Sequence, residues 1–115
     1  MKTKKPECTI DAHGTKRWYL NNKLHRTDGP AWEDTDGTKF WYVNGKCHRT
    51  NGPAIEYPDG LKEWWLNDER HRTDGPAIEY PNGSKEWWLN GKKINPQVLV
   101  KKGYITEKEL FLILL

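Results

Sequence analysis

Long apolar runs are missing from this chain. The longest, Leu110 to Leu115, falls far short of the roughly 20 residues a membrane helix needs, so no membrane partner is expected. Met1 to Lys5 is basic with no apolar segment behind it, so no secretory signal is expected. Cysteine is equally scarce. Cys8 and Cys47 make neither a disulfide framework nor a C-x-x-C pair, which points to a reducing, cytoplasmic setting. No Gly-x-Ser-x-Gly, phosphate loop or His-Glu-x-x-His is present, and with them go the usual hydrolase, nucleotide-handling and zinc-protease readings.

Charge of one sign is lacking too. The formal net charge is +3, too small to diagnose a nucleic-acid protein when both signs are abundant. At 35% hydrophobic and 30% charged residues the composition alone leans towards disorder. Seven Trp and five Tyr offset this, because each ring buries on the order of 150–250 Å². The expectation is one folded domain with an aromatic core.

What is present is a repeat. At a period of 23 the units from His25 (HRTDGPAWEDTDGTKFWYVNGKC), His48 (HRTNGPAIEYPDGLKEWWLNDER) and His71 (HRTDGPAIEYPNGSKEWWLNGKK) follow one another without insertion. Residues 8–24 match the later part of a unit and form a degenerate first copy. Within a unit, Gly-Pro opens a short β-prone run, an Asp-Gly or Asn-Gly turn follows (Asp36-Gly37, Asp59-Gly60, Asn82-Gly83), and a second strand ends at Asn-Gly or Asn-Asp. One hairpin per unit is predicted, with consecutive hairpins continuing one antiparallel meander. Residues 1–93 are thus the repeat region (8–24, 25–47, 48–70, 71–93) and 94–115 a tail. In the tail, Asn95-Pro96 predicts a short helix ending at Lys102-Gly103, and Thr106 to Glu109 reads as a capping box for a second one. This segment is a C-terminal cap or a dimerisation element. The fold class predicted is all-β: a single twisted meander of tandem hairpins with a short helical cap.

The aromatic pair followed by Asn-Gly-Lys, at Trp41 to Lys46 and Trp87 to Lys92, resembles the MORN repeat class. The His-Arg-Thr-Asp-Gly-Pro-Ala segment is similar to repeat proteins of bacteriophages and large DNA viruses. The resemblance covers roughly residues 8–93. It implies a stacked β-hairpin architecture and, by analogy, a viral protein that blocks a host defence factor in the host cytoplasm.

Adjacent aromatics on a strand face opposite ways, so Trp64 and Leu66 share one side while Glu63 and Trp65 share the other. Aromatic rows on both faces follow, and a single-layer sheet leaves one of them for curvature, a second subunit or a ligand to cover. The pairs His25-Arg26, His48-Arg49 and His71-Arg72 recur at roughly 9–10 Å, too far apart for shared zinc ligation. Each Arg either pairs with Glu33, Glu56 or Glu79 or stacks on a ring, or else the row faces a ligand. Asp28, Asn51 and Asp74 before Gly-Pro read as Asx-turn residues, as do the turn acids Asp36 and Asp59.

These features predict a non-catalytic binding protein without cofactor or metal. The candidate binding residues are Arg26, Arg49, Arg72, His25, His48, His71, Tyr42, Trp65 and Trp88, with the arginines expected to matter more for binding than for stability. The partner expected is a protein docked on an aromatic and Arg-bearing face. The alternatives are an anionic nucleotide or oligonucleotide held in a sponge, for which a homo-oligomer would supply the pocket, and a glycan surface.

Overall fold

The structure is a computed structural model that describes residues 4–115. Its chain direction is decided at the turns. Gly37, Gly60 and Gly83 take φ of +96°, +97° and +90°, a region closed to most L-residues. Beside them the side chains of Asp36, Asp59 and Asn82 accept the N–H groups of Thr38, Leu61 and Ser84 at 2.9, 3.0 and 2.9 Å. These are the expected Asx-turns.

Between the turns lie β1 (Glu7–Ile10), β2 (Lys16–Leu20), β3 (Lys23–Leu24), β4 (Trp32–Glu33), β5 (Lys39–Phe40), β6 (Tyr42–Val43) and β7 (Lys46–Cys47). They continue as β8 (Ile55–Glu56), β9 (Lys62–Glu63), β10 (Trp65–Leu66), β11 (Glu69–Arg70), β12 (Ile78–Glu79), β13 (Lys85–Leu89) and β14 (Lys92–Ile94). A ten-stranded antiparallel sheet runs β1-β2-β4-β5-β8-β9-β12-β13-β14, with β3 on β2, and β6-β7 and β10-β11 form separate two-stranded ribbons. The predicted meander is there, but a unit carries two hairpins, not one. At Trp18, Trp41 and Trp64 the chain changes partners. The N–H groups of Trp18, Trp41 and Trp64 donate to Ala31, Ala54 and Ala77 in the main sheet. Their carbonyls accept from the N–H groups of His25, His48 and His71 in the second hairpin. The alanines are fully buried at this crossing.

Two ladders cross the main sheet in register. One reads Lys16, Glu33, Lys39, Glu56, Lys62, Glu79, Lys85, alternating in sign at every step. Directly opposed unlike charges each add a few tenths of a kcal/mol, up to about 1. The other, on the reverse face, reads Arg17, Trp32, Phe40, Ile55, Glu63, Ile78, Glu86. The register is fixed by both faces, since a one-residue slip would exchange them.

Two helices close the C-terminal end: α1 (Gln97–Lys101) and α2 (Glu107–Leu114). Thr106 and Glu109 make the reciprocal capping box, each bond 3.1 Å. Leu99, Ile105 and Leu110 bury themselves against Trp87 and Leu89. The tail therefore caps the last hairpin, and α2 leaves Phe111, Leu112, Leu114 and Leu115 exposed. No helix among the described residues is long and apolar enough to cross a membrane.

Candidate functional site

Each His-Arg-Thr-Asp/Asn-Gly-Pro loop builds the same small device. The guanidinium carbon of Arg26, Arg49 and Arg72 lies 4.0, 3.9 and 3.9 Å from the ring centroid of Trp18, Trp41 and Trp64. Nε donates to Asp28, Asn51 or Asp74 at 2.9, 3.2 and 2.8 Å. Nη1 donates to the carbonyl of Pro30, Pro53 or Pro76 at 3.1, 3.0 and 3.0 Å. Nη1 also faces Glu33, Glu56 or Glu79 at 3.7, 3.5 and 2.8 Å. Ion pairing and ring stacking thus occur together. The arrangement corrects one expectation: Asp28, Asn51 and Asp74 do not close Asx-turns but hold a guanidinium edge. That contact keeps the Asp28 carboxyl ionised to lower pH than usual, chiefly through its hydrogen bond with Arg26.

A side chain at the glycine in this loop would displace the guanidinium. A Cβ on Gly29, Gly52 or Gly75 would sit 2.8, 2.9 or 2.8 Å from the guanidinium carbon. The cation is therefore flanked by an indole ring and by bare backbone. Cation–π contact in such partly desolvated settings contributes about 0.5–2 kcal/mol. These contacts give the arginines a share in stability.

The histidines brace each unit from within. Nδ1 of His25, His48 and His71 accepts the N–H of Asn44, Asn67 and Asn90, 19 residues further on in the same unit, at 3.0, 3.1 and 3.0 Å. This leaves Nε2 to carry the ring proton. Among the described residues no group of three or more His, Cys, Asp or Glu lies close enough to hold a metal ion.

Between successive loops open repeated grooves. One, of about 620 Å³, is lined by Arg26, Asp28, Trp41, Val43, His48 and Thr50. The next, of about 440 Å³, is lined by Thr50, Asn51, Trp64, Leu66, His71 and Asp74. A third, of about 550 Å³, lies before them over Trp18, Leu20 and His25 and is walled by Lys4 to Pro6. The floor of each groove is a Trp and an aliphatic residue. The fourth such pair, Trp87 and Leu89, is the one the cap helices cover.

The nine candidate residues do not converge. His25, His48, His71, Arg26, Arg49 and Arg72 line the groove face. Tyr42, Trp65 and Trp88 lie on the reverse face, half-buried. There the indole N–H groups of Trp65 and Trp88 donate to Glu63 and Glu86 at 3.3 and 3.0 Å. Tyr42 packs with Phe40 and Cys47, and burial pushes its hydroxyl pKa up. The sequence reasoning missed the groove floor, Trp18, Trp41 and Trp64. The signal for it was the constant offset from Trp to the Arg of the next loop. It also missed Arg70, which sits 5.0 and 5.1 Å from the rings of Trp65 and Trp88 and pairs with the buried Glu63 at 3.2 Å.

Compared with protein-family models, curated proteins and solved structures, the chain finds no match in any of the three.

Proposed function

We propose that this chain is a non-catalytic docking protein, and that the groove face carries a partner protein. The observation behind this reading is the shape. The molecule measures 46 × 36 × 20 Å with a radius of gyration of 16.2 Å, against about 13 Å for a compact chain of this length. Its accessible surface is 7688 Å², against about 6500 Å² for a globular monomer of its mass. The excess, on the order of 1000 Å², is comparable with what one partner contributes to a standard interface.

The charge arrangement favours a protein over a nucleotide sponge. Each groove arginine already faces a glutamate at 3.7, 3.5 or 2.8 Å, so little positive potential is left for phosphates. The aromatic rings of this face are covered by guanidiniums, which disfavours sugar stacking. The test is affinity capture from the native source with the wild-type chain and Thr50→Arg in parallel, because Thr50 is exposed and borders two grooves. A protein held by the wild type through 0.5 M salt and lost with Thr50→Arg supports docking. Equal capture by both, or a nucleotide released as salt rises, overturns it.

A further inference from the structure

The grooves recur at a fixed step, and the step selects a ligand conformation. Each unit contributes two strands to the main sheet, so equivalent groove positions stand roughly 9–10 Å apart. A polyproline II helix has three residues per turn and advances about 9.3 Å in that turn. Side chains at every third position of such a helix therefore point the same way at the spacing of the grooves. A β-strand, whose side chains alternate, cannot place every third one on a single side.

The groove chemistry agrees with the period. Every floor pairs an indole with an aliphatic residue: Trp18 with Leu20, Trp41 with Val43, Trp64 with Leu66. The fourth pair, Trp87 and Leu89, has no arginine over its ring among the described residues and takes Leu99, Ile105 and Leu110 of the cap, which shows that an indole and an aliphatic residue at this position accept aliphatic side chains. No described residue accepts from the indole N–H of Trp18, Trp41 or Trp64, whereas those of Trp32, Trp65 and Trp88 all donate to carboxylates on the reverse face. Under the cap, Trp87 Nε1 is buried without an acceptor. A polyproline II backbone has no internal hydrogen bonds and presents free carbonyls. It is the complement of a row of free indole donors. At the rims, the carboxylates of Asp28 and Asp74 are 84% and 77% exposed, with the neutral Asn51 between them.

We infer that the groove face binds a proline-rich segment in the polyproline II conformation, with an apolar side chain at every third residue and a basic residue at each end. This rests on the docking reading and names the chemistry of its partner. Asp28 and Asp74 are two units apart, roughly 20 Å, which is about six polyproline II residues.

The probe is a fluorescent peptide of two Pro-Pro-Leu triplets between lysines, which sets the lysines about 22 Å apart. Its control has the same residues with Leu moved to alternate positions. Anisotropy should show the triplet peptide binding about tenfold or more tighter than the control, and Thr50→Arg removing that preference without shifting the melting temperature. In a titration followed by NMR, the indole N–H resonances of Trp41 and Trp64 should move while those of Trp32, Trp65 and Trp88 stay. Equal affinity for both peptides, no binding, or movement confined to Trp65 and Trp88 overturns the inference. A captured protein that is lost with Thr50→Arg would leave the docking reading standing in each of those cases.

Discussion

The two faces of the sheet use tryptophan in opposite ways. On the groove face each ring is overlaid by an arginine from a loop repeated almost letter for letter, and its indole N–H is left free. On the reverse face the N–H of Trp65 and Trp88 is tied to Glu63 and Glu86, and the surroundings change from unit to unit. The slot opposite the second aromatic is Leu24, Cys47, Arg70 and Lys93 in turn. Constancy on one face follows from a device with no slack. The guanidinium has a ring on one side, backbone on the other and hydrogen-bond acceptors at its edge. The reverse face tolerates variety because each unit finds a different way to satisfy its second aromatic, Tyr or Trp, and fill the same space.

The strongest way to break this contrast is through the loop glycine. Gly52→Ala would put a methyl group 2.9 Å from the guanidinium carbon of Arg49 and push it off Trp41. The loss combines cation–π contact with charged hydrogen bonds and should reach about 2–4 kcal/mol in chemical denaturation. Gly83→Ala, at a turn with φ of +90° and open space around it, should cost only about 1–2 kcal/mol of backbone strain. A smaller loss at Gly52 than at Gly83 would show that the loop glycine is chosen for its backbone and not for the cation.

Next in size is the indole itself. Trp64→Phe and Trp65→Phe remove the same atoms from adjacent residues. Only the second also removes a donor to Glu63, whose side chain is 10% exposed. Trp65→Phe should therefore lose about 1 kcal/mol more than Trp64→Phe. Equal losses would mean that Arg70 alone satisfies the carboxylate and that the two rows differ less than their hydrogen bonds suggest.

The acid limb of stability tests the reverse face alone. The Tyr80 hydroxyl donates to Glu86 at 2.6 Å and the Trp88 indole adds a second bond. Together, Tyr80 first, they hold the Glu86 carboxyl below its ordinary range. A lowered folded value means that its stabilisation is present above the unfolded carboxylate range and is lost as pH falls through the lowered value. Tyr80→Phe should shallow the fall in melting temperature between about pH 5 and pH 3 and leave the groove loops unaffected. An unchanged acid limb would assign that fall to other carboxylates.

Much of this was legible in the chain. The period, the Asx-turns at Asp36 and Asp59, the capping box at Thr106 and the opposed rows of Trp64 and Trp65 all follow from local rules, and local rules survive folding. The switch of partner at Trp41 and Trp64 does not, because there one residue donates to Ala in one sheet and accepts from His in another hairpin. Strand alternation carries no trace of such a change of partner. The role of Asp28 and Asn51 was misread for a related reason. Asx-turn chemistry and an Arg two residues earlier compete for the same oxygen, and the charged donor wins. Of the candidate residues, the His and Arg share one face, whereas Tyr42, Trp65 and Trp88 were grouped with them across the thickness of the sheet.

The smallest effect concerns reactivity and not stability. Cys47 fills the variable slot beside Tyr42, Ala54 and Ile55, and burial pushes its thiol up to about 12. Cys8 is exposed on the edge strand β1. Thiolate is the attacking species, so a disulfide reagent at pH 8 should modify Cys8 promptly and leave Cys47 untouched until the chain opens. Here the reverse face gains a clock. If Cys47 reacts at the global unfolding rate, its unit opens with the whole sheet. If it reacts faster while the groove loops stay protected, the two faces are separable in stability. If Gly52→Ala speeds Cys47 modification in step with its loss of global stability, the loop on one face and the slot on the other belong to one cooperative unit, and the difference between the faces is one of chemistry alone.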